Sequence, residues 1–164
     1  MSADLQIRLC KVHDLPRLHV IRAAAFAPVF ASFRSIVGEE IAPIAFAKAE
    51  IEQAKHLDGL LGPESQHEVY AGLVNGEIVG FCAVGLDQET KIGEIDLSAV
   101  HPDHAGQGVG ERMFVFALER MKAVGMTVAT VGTGGDPAHA PARRAYEKVG
   151  FARAVPGVYY YQKL

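Results

Sequence analysis

Residues 92–125, IGEIDLSAVHPDHAGQGVGERMFVFALERMKAVG, join an alternating run to an amphipathic run through three glycines spaced two apart, Gly106, Gly108 and Gly110. This segment constrains the fold more tightly than any other. Ile95, Leu97 and Ala99 alternate with Glu94, Asp96 and Ser98, the pattern of a half-buried strand that sets the three polar residues on one face. Met113, Phe114, Ala117, Leu118, Met121 and Val124 recur at helical spacing and stop at Gly125. A strand therefore feeds a helix through a glycine loop. Such a helix start offers unpaired backbone N–H groups and the positive end of the helix dipole, and glycine lets an anion approach without a Cβ in the way. A phosphate is the expected ligand. It is not held in a dinucleotide fingerprint, since GxGxxG counted from Gly106 would need glycine where Glu111 stands, and no Gly-Lys-Ser/Thr is present.

The rest of the chain supplies the sheet around this unit. Leu5, Ile7 and Leu9 alternate as a first strand; Asp14 and Pro16 open a helix carrying Leu15, Leu18, Ile21 and Ala25, which Pro28 should interrupt. The stretch FAPVFASFRSIVGEE shows no clear period. Ile44, Ala47, Ile51, Ala54, Leu57 and Leu61 predict a second helix, ended by Gly62-Pro63. EVYAGLVNGEIVGFCAVGL reads as two antiparallel strands around Asn75-Gly76, a strong hairpin signal. TVATV is a short strand, Pro141 to Val149 a short helix with Gly150 beyond it, and GVYYYQKL a last strand. The order β-α-α-β-β-β-α-β-α-β predicts a single domain over 1–164. Its class is α/β (α+β), a mixed, mostly antiparallel sheet of about six to seven strands with flanking helices and one parallel β-α-β step.

Composition narrows the partners. A chain of 164 residues with 49% hydrophobic and 21% charged residues folds as an ordinary globular domain, and a net charge of −3 argues against broad nucleic-acid binding. Cys10 and Cys82 form no CxxC pair, the N-terminus MSADLQIRLC lacks a basic leader, and no apolar run is expected to reach the ~20 residues that span a membrane. A cytoplasmic protein with reduced thiols is expected. His101 and His104 lack a third ligand, so no metal is assigned.

Ala105-Gly106-Gln107-Gly108-Val109-Gly110 resembles the Gln/Arg-x-x-Gly-x-Gly/Ala signature of the GNAT superfamily of N-acetyltransferases, with Ala105 departing at the first position. HAPARRAYEKVGF resembles that family's Asn-x-x-Ala-x-x-x-Tyr-x-x-x-Gly-Phe block: Ala142, Tyr146, Gly150 and Phe151 match, and His139 stands where Asn is usual. The resemblance implies transfer of an acetyl group from acetyl-CoA to a primary amine of a small molecule or peptide, by direct attack in a ternary complex. It implies backbone contacts from Ala99 and Val100 to the pantetheine arm and from Ala105 through Gly110 to the pyrophosphate, with His139 and Tyr146 also beside the cofactor. Homodimers are common among such proteins, and Tyr159 to Tyr161 would suit a dimer edge or a buried sheet edge equally.

The chemistry assigns roles to two residues. A lysine-like amine of pKa about 10.4 costs about 4 to 5 kcal/mol to deprotonate at pH 7, so a base is needed. The resemblance implies Glu94 for that role, directly or through water; Asp96 is the substitute, and a merely solvated strand face is the competing reading. Tyr146 would protonate or orient the departing thiolate, or else is a core aromatic. The basic residues Arg143, Arg144, Lys148 and Arg153 would suit the cofactor's 3′-phosphate or a wet helix face, and the acidic excess from Glu39 to Glu64 would attract a cationic acceptor or likewise face water. A member of the same fold that binds acyl-CoA without chemistry, as a sensor or interaction partner, is the alternative to an enzyme.

Overall fold

The computed structural model describes residues 4–164; Met1 to Ala3, part of the stretch read as lacking a leader, lie outside them. Five strands form one sheet in chain order: β1 (Leu5–Leu9), β2 (Glu68–Val74), β3 (Glu77–Asp87), β4 (Ile92–Val100) and β5 (Val128–Val131). All pairs are antiparallel except β4 with β5. The hairpin at Asn75-Gly76 carries positive φ at both residues, 52° and 80°, as the right-handed twist of its strands requires.

The helices cover both faces. On one side lie α1 (Leu15–Val37), the single turn α2 (Ala42–Ala45) and α3 (Ala49–Leu60), which bury Leu18, Ile21 and Leu57 against Phe81, Leu97 and Ala99. On the other lie α4 (Val109–Ala123) and α5 (Ala140–Lys148), where Met113, Phe114, Met121 and Tyr146 pack on Cys82, Val84 and Ile95. Fully burying one such side chain contributes about 1.5 to 3 kcal/mol, so each layer is held chiefly by apolar contact. Gly93 fits this interface because a Cβ there would meet Met121 Sδ at 2.6 Å.

Four expectations are corrected. The first helix does not stop at Pro28 but runs to Val37 and ends at Gly38 (φ 80°), so it absorbs most of the stretch that showed no period. A fixed φ near −65° suits a helix, and packing of Val29 and Phe30 offsets the lost backbone donor. With its preceding turn this helix, Val12–Val37, is long and apolar enough to span a bilayer, against expectation. In the fold it lies on the sheet through Leu18 and Ile21, and its buried Arg22 donates to Gln53 Oε1 on α3 at 3.2 Å. The second helix is broken after Ala45, and Ile44 and Ile51, expected on its buried face, are exposed while Leu57 and Leu60 are buried.

Among the described residues the sheet has five strands rather than six or seven. GVYYYQKL takes no regular structure, and Val158, Tyr159 and Tyr160 are exposed. Alternation and aromatic content favour a strand only where a neighbour accepts its backbone hydrogen bonds, and Pro156-Gly157 interrupts the approach. Tyr161 instead sets its ring 5.7 Å from that of Phe46.

Candidate active site

The parallel pairing of β4 with β5 runs from Ile92↔Val128 to Ile95↔Val131 and stops there. Beyond it β4 continues through Asp96 to Val100, whereas the other arm leaves the sheet as the loop 132–136 and a single 3-10 turn, Pro137–His139. The two arms make a fork. Its upper β4 backbone is paired on one side only, with β3, and turns an unpaired edge toward the gap.

A bulge at the fork redirects the side chains. Cys82 pairs with Ser98 and Val84 with Ile95, so Ala83 alone opposes the two residues Asp96 and Leu97. The expected single polar face is therefore corrected. Below the bulge, Gly93 and Ile95 face α4, so Glu94 points to the α1 and α3 side. Asp96 reaches α3 on that same side, where His56 Nε2 lies 2.5 Å from its Oδ1. Past the bulge the alternation inverts: Leu97 and Ala99 pack under α1 and α3, and Ser98 turns to the α4 and α5 side.

There Ser98 Oγ stands 3.4 Å from Tyr146 Oη, either atom able to donate. The Tyr146 ring is buried, 4.7 Å from Phe114 and 5.9 Å from Phe151 between centroids. Burial pushes its phenol above the ordinary value, with the Ser98 hydrogen bond acting in the opposite direction. A hydroxyl so placed keeps its proton through neutral pH and can donate it to a basic atom in the gap.

The glycine loop closes the fork from above. Gly106 and Gly108 hold φ of 71° and 77°, with nothing within 4 Å of either Cβ position. Gly108 is the N-cap of α4 and makes no side-chain cap, so the first N–H groups of the helix face an open cradle. Gly110 has an ordinary φ, and a Cβ there would meet only Val100 Cγ2 at 3.7 Å and Phe114 Cε2 at 3.9 Å. Val109 drops into the core beside Met113, and Gln107 Nε2 donates to Asp103 O at 3.2 Å, which steadies the loop. Val100 flanks this cradle, whereas the Ala99 side chain is buried among the residues under α1 and α3. The chemistry of this donor set fits a pyrophosphate.

The β5 arm carries a network that the sequence did not announce. Asp136 accepts from Ser32 Oγ of α1 at 2.7 Å and from the Ala138 N–H at 3.2 Å, and pairs with His139 Nδ1. The His139 ring also lies 5.7 Å from Phe33. His139 is thus engaged with Asp136 and with Phe33 of α1. Arg143, one of the basic residues considered for the 3′-phosphate, donates to Gly134 O at 2.6 Å and Asp136 O at 2.9 Å, and Lys148 pairs with Glu111 at 2.8 Å. Part of the acidic excess is likewise engaged: Glu50 binds Arg34 through both oxygens, and Asp58 meets His19 Nε2 at 2.7 Å. Between α1, α2 and α3 a cleft of about 410 Å³ remains, lined by Phe30, Phe33, Phe46, Lys48 and Glu52 among others. Asp136, Ser32, His56 and His67 escaped the sequence reading. Only Asp136 had a local signal, an Asp before Pro three residues ahead of a His, the pattern of a helix cap. Among the described residues no group of three or more His, Cys, Asp or Glu side chains is arranged to hold a metal ion.

Known proteins share this fold. The solved structure of aminoglycoside N-acetyltransferase AAC(6')-Iy with a CoA bisubstrate analogue superposes with a TM-score of 0.64 at 13% identity, covering 99% of this chain and all of that one. A transcriptional regulator from Bacillus halodurans superposes with a TM-score of 0.65 at 20% identity, covering 97% of this chain and 100% of its own. In sequence, a mycothiol acetyltransferase from Sanguibacter keddieii is 35% identical over 89 residues, covering 51% of this chain and 28% of that protein. A second, from Streptomyces coelicolor, is 29% identical over 77 residues, covering 47% and 24%. The chain spans about a quarter of the length of these curated relatives. A family model described as the acetyltransferase (GNAT) family matches residues 36–151, most of the chain, and the protein belongs to that family.

Proposed function

We propose that this chain transfers the acetyl group of acetyl-CoA to a primary amine by direct attack at the fork between β4 and β5. The observation that carries the reading is the inversion of side chains across the bulge: Glu94 and Asp96 lie on the α1 and α3 side, while Ser98 and Tyr146 lie on the α4 and α5 side. Two substrates entering from opposite faces would meet in the gap. The pyrophosphate would rest on the N–H groups of Gly106 to Gly110, and the pantetheine amides would pair with the open β4 edge at Ala99 and Val100. The acetyl carbon then lies between a carboxylate on the amine's side and a phenol on the sulfur's side. Glu94 takes the proton of the attacking amine, directly or through water, and Tyr146 supplies or orients a proton for the thiolate.

A small-molecule amine is the favoured acceptor, supported by the names of the mycothiol acetyltransferase relatives and by the cleft beside Phe33 and Glu52, which is of ligand size. The reading includes a cytoplasmic location, where thiols such as Cys10 and Cys82 stay reduced. Release of free thiol from acetyl-CoA across a panel of primary amines tests the proposal. Turnover with at least one amine, lowered about tenfold or more in Tyr146→Phe, supports it. Tight CoA binding with no thiol release from any amine would instead make the chain a non-catalytic acyl-CoA binder.

A further inference from the structure

Four rings from four segments form a continuous chain of contacts. His139, at the end of the β5 arm, lies 5.7 Å from Phe33 of α1 between ring centroids. Phe33 stacks on Phe46, just beyond α2, at 5.7 Å and an interplanar angle of 29°, and Phe46 lies 5.7 Å from Tyr161 of the C-terminal segment. Phe33 and Phe46 also line the cleft of about 410 Å³, so the rings tie that space to the fork. Polar groups brace the wall. Ser32, next to Phe33, donates to Asp136, which also pairs with His139, and this fixes the Phe33–His139 contact at both ends. Arg34 donates to Phe46 O at 2.9 Å and to both oxygens of Glu50, with its guanidinium carbon 6.0 Å from the centre of the Phe30 ring. Phe33 and Phe46 are held in place in this way, yet each is only half-buried.

The cleft offers a ligand apolar contact and little net charge. Beside Phe30, Phe33 and Phe46 its lining includes Ile44, which is 74% exposed, and three alanines. Its two charged residues, Lys48 and Glu52, are of opposite sign, and the neighbouring Glu50 is engaged by Arg34. A ligand with several ammonium groups finds one carboxylate and a lysine there, so the local field does not select it. A flat apolar body finds two rings already stacked, and ring-on-ring contact contributes beyond the area it buries. We propose that the cleft binds a primary amine carried on an aromatic ring system, with at most one positive charge, and that such an arylalkylamine is the acceptor class of this chain. The transfer rests on the acetyltransferase reading given above; the binding does not. The ligand's ring lies against Phe33 and Phe46, and a short alkyl chain carries the nitrogen past Phe33 to the β5 arm.

The chain contains no tryptophan, so tryptamine can be followed by its own indole fluorescence. With CoA present, tryptamine should bind saturably, 2-phenylethylamine should displace it, and spermidine should not. Phe46→Ala should weaken tryptamine binding about tenfold, and Phe33→Leu, which keeps an apolar side chain on α1, should weaken it in the same direction. CoA affinity should change in neither variant, which also reports an intact fold. Absence of tryptamine binding, displacement by spermidine as strong as by 2-phenylethylamine, or an unchanged tryptamine affinity in both variants overturns the inference. Thiol release then separates it from the reading beneath it. Acetyl transfer to spermidine but to neither aromatic amine overturns the acceptor class and leaves the acetyltransferase reading standing. Saturable tryptamine binding that Phe46→Ala weakens, with no thiol release from any amine, supports the cleft as the binding site and overturns the transfer.

Discussion

Ser98 Oγ and Tyr146 Oη face each other across 3.4 Å only because the bulge at Asp96 and Leu97 turns Ser98 toward α5. In an unbroken strand Ser98 would share the face of Glu94, on the far side of the sheet from Tyr146. The bulge thus assembles one polar pair on each side of the fork. It also ends the pairing with β5, which opens the gap the pairs flank.

Tyr146→Phe keeps the ring contacts with Phe114 and Phe151 and removes only the hydroxyl. Turnover should fall about tenfold or more, within the range usual for general acid–base groups, while acetyl-CoA affinity stays near the wild-type value. Because burial raises the phenol's pKa, wild-type kcat should show no loss assignable to Tyr146 ionisation below pH ~10. Steady-state kinetics over pH would show this; an unchanged kcat in the variant would make Tyr146 a packing residue.

The glycine cradle can be probed without disturbing the fold at one position and not at another. Gly110→Ala should fold normally, since its Cβ would make ordinary contacts with Val100 and Phe114. Gly108→Val must hold a branched side chain at φ 77°, which costs about 1 to 2 kcal/mol of stability in addition to any effect on binding. Calorimetry with CoA should find affinity lowered severely in folded Gly108→Val. Unchanged affinity there would remove the pyrophosphate from this loop.

Asp14 links β1 to the start of α1. It accepts from Arg8 at 2.7 and 3.0 Å and from the Lys11 N–H at 2.8 Å, and the Arg8 guanidinium holds its pKa down from 3.8 to about 2. The folded state binds the proton more weakly than the unfolded state does. Its contribution is therefore complete above pH ~4 and is lost as pH falls through about 2. Arg8 is open to water, so the contribution is on the order of 1 to 2 kcal/mol. Urea unfolding at pH 7 and pH 2.5 should show Asp14→Asn less stable than wild type at the higher pH and the gap reduced by more than half at the lower, closing only below pH ~2.

The elements built on local pattern were legible: the hairpin at Asn75-Gly76, the glycine loop entering α4, and α5 ending at Gly150 all have their determinants within a few residues. What stayed hidden depends on partners distant in sequence. Nothing local to IGEIDLSAV marks a bulge, since the extra residue is defined only against Ala83 of β3, so alternation alone sets Ser98 on the wrong face. His56 and His67 carry no spacing signal because Asp96 unites them across α3 and β4. Pro28 misled for a related reason, its local penalty being offset by burial of Val29 and Phe30 against the rest of the domain.

Glu94 sits where β4 is still paired with β5, opposite Thr130, on the face from which the amine would approach. Its importance should scale with acceptor basicity, since an amine near pKa 10 needs several kcal/mol of help at pH 7 and one near 8 needs about 1. Glu94→Gln preserves the shape of the side chain and removes the proton sink. With a basic acceptor the variant should lose turnover most at neutral pH, and the deficit should shrink as pH rises toward the amine's pKa, because free amine then forms in solution without the enzyme. Acetyl-CoA affinity should not move, the carboxylate lying on the opposite face from Tyr146. Rates of thiol release from pH 7 to 10 decide the matter. A deficit constant over that range, or none at any pH, would exclude Glu94 as the base and pass the role to Asp96, whose carboxylate stands one pleat further along the same face.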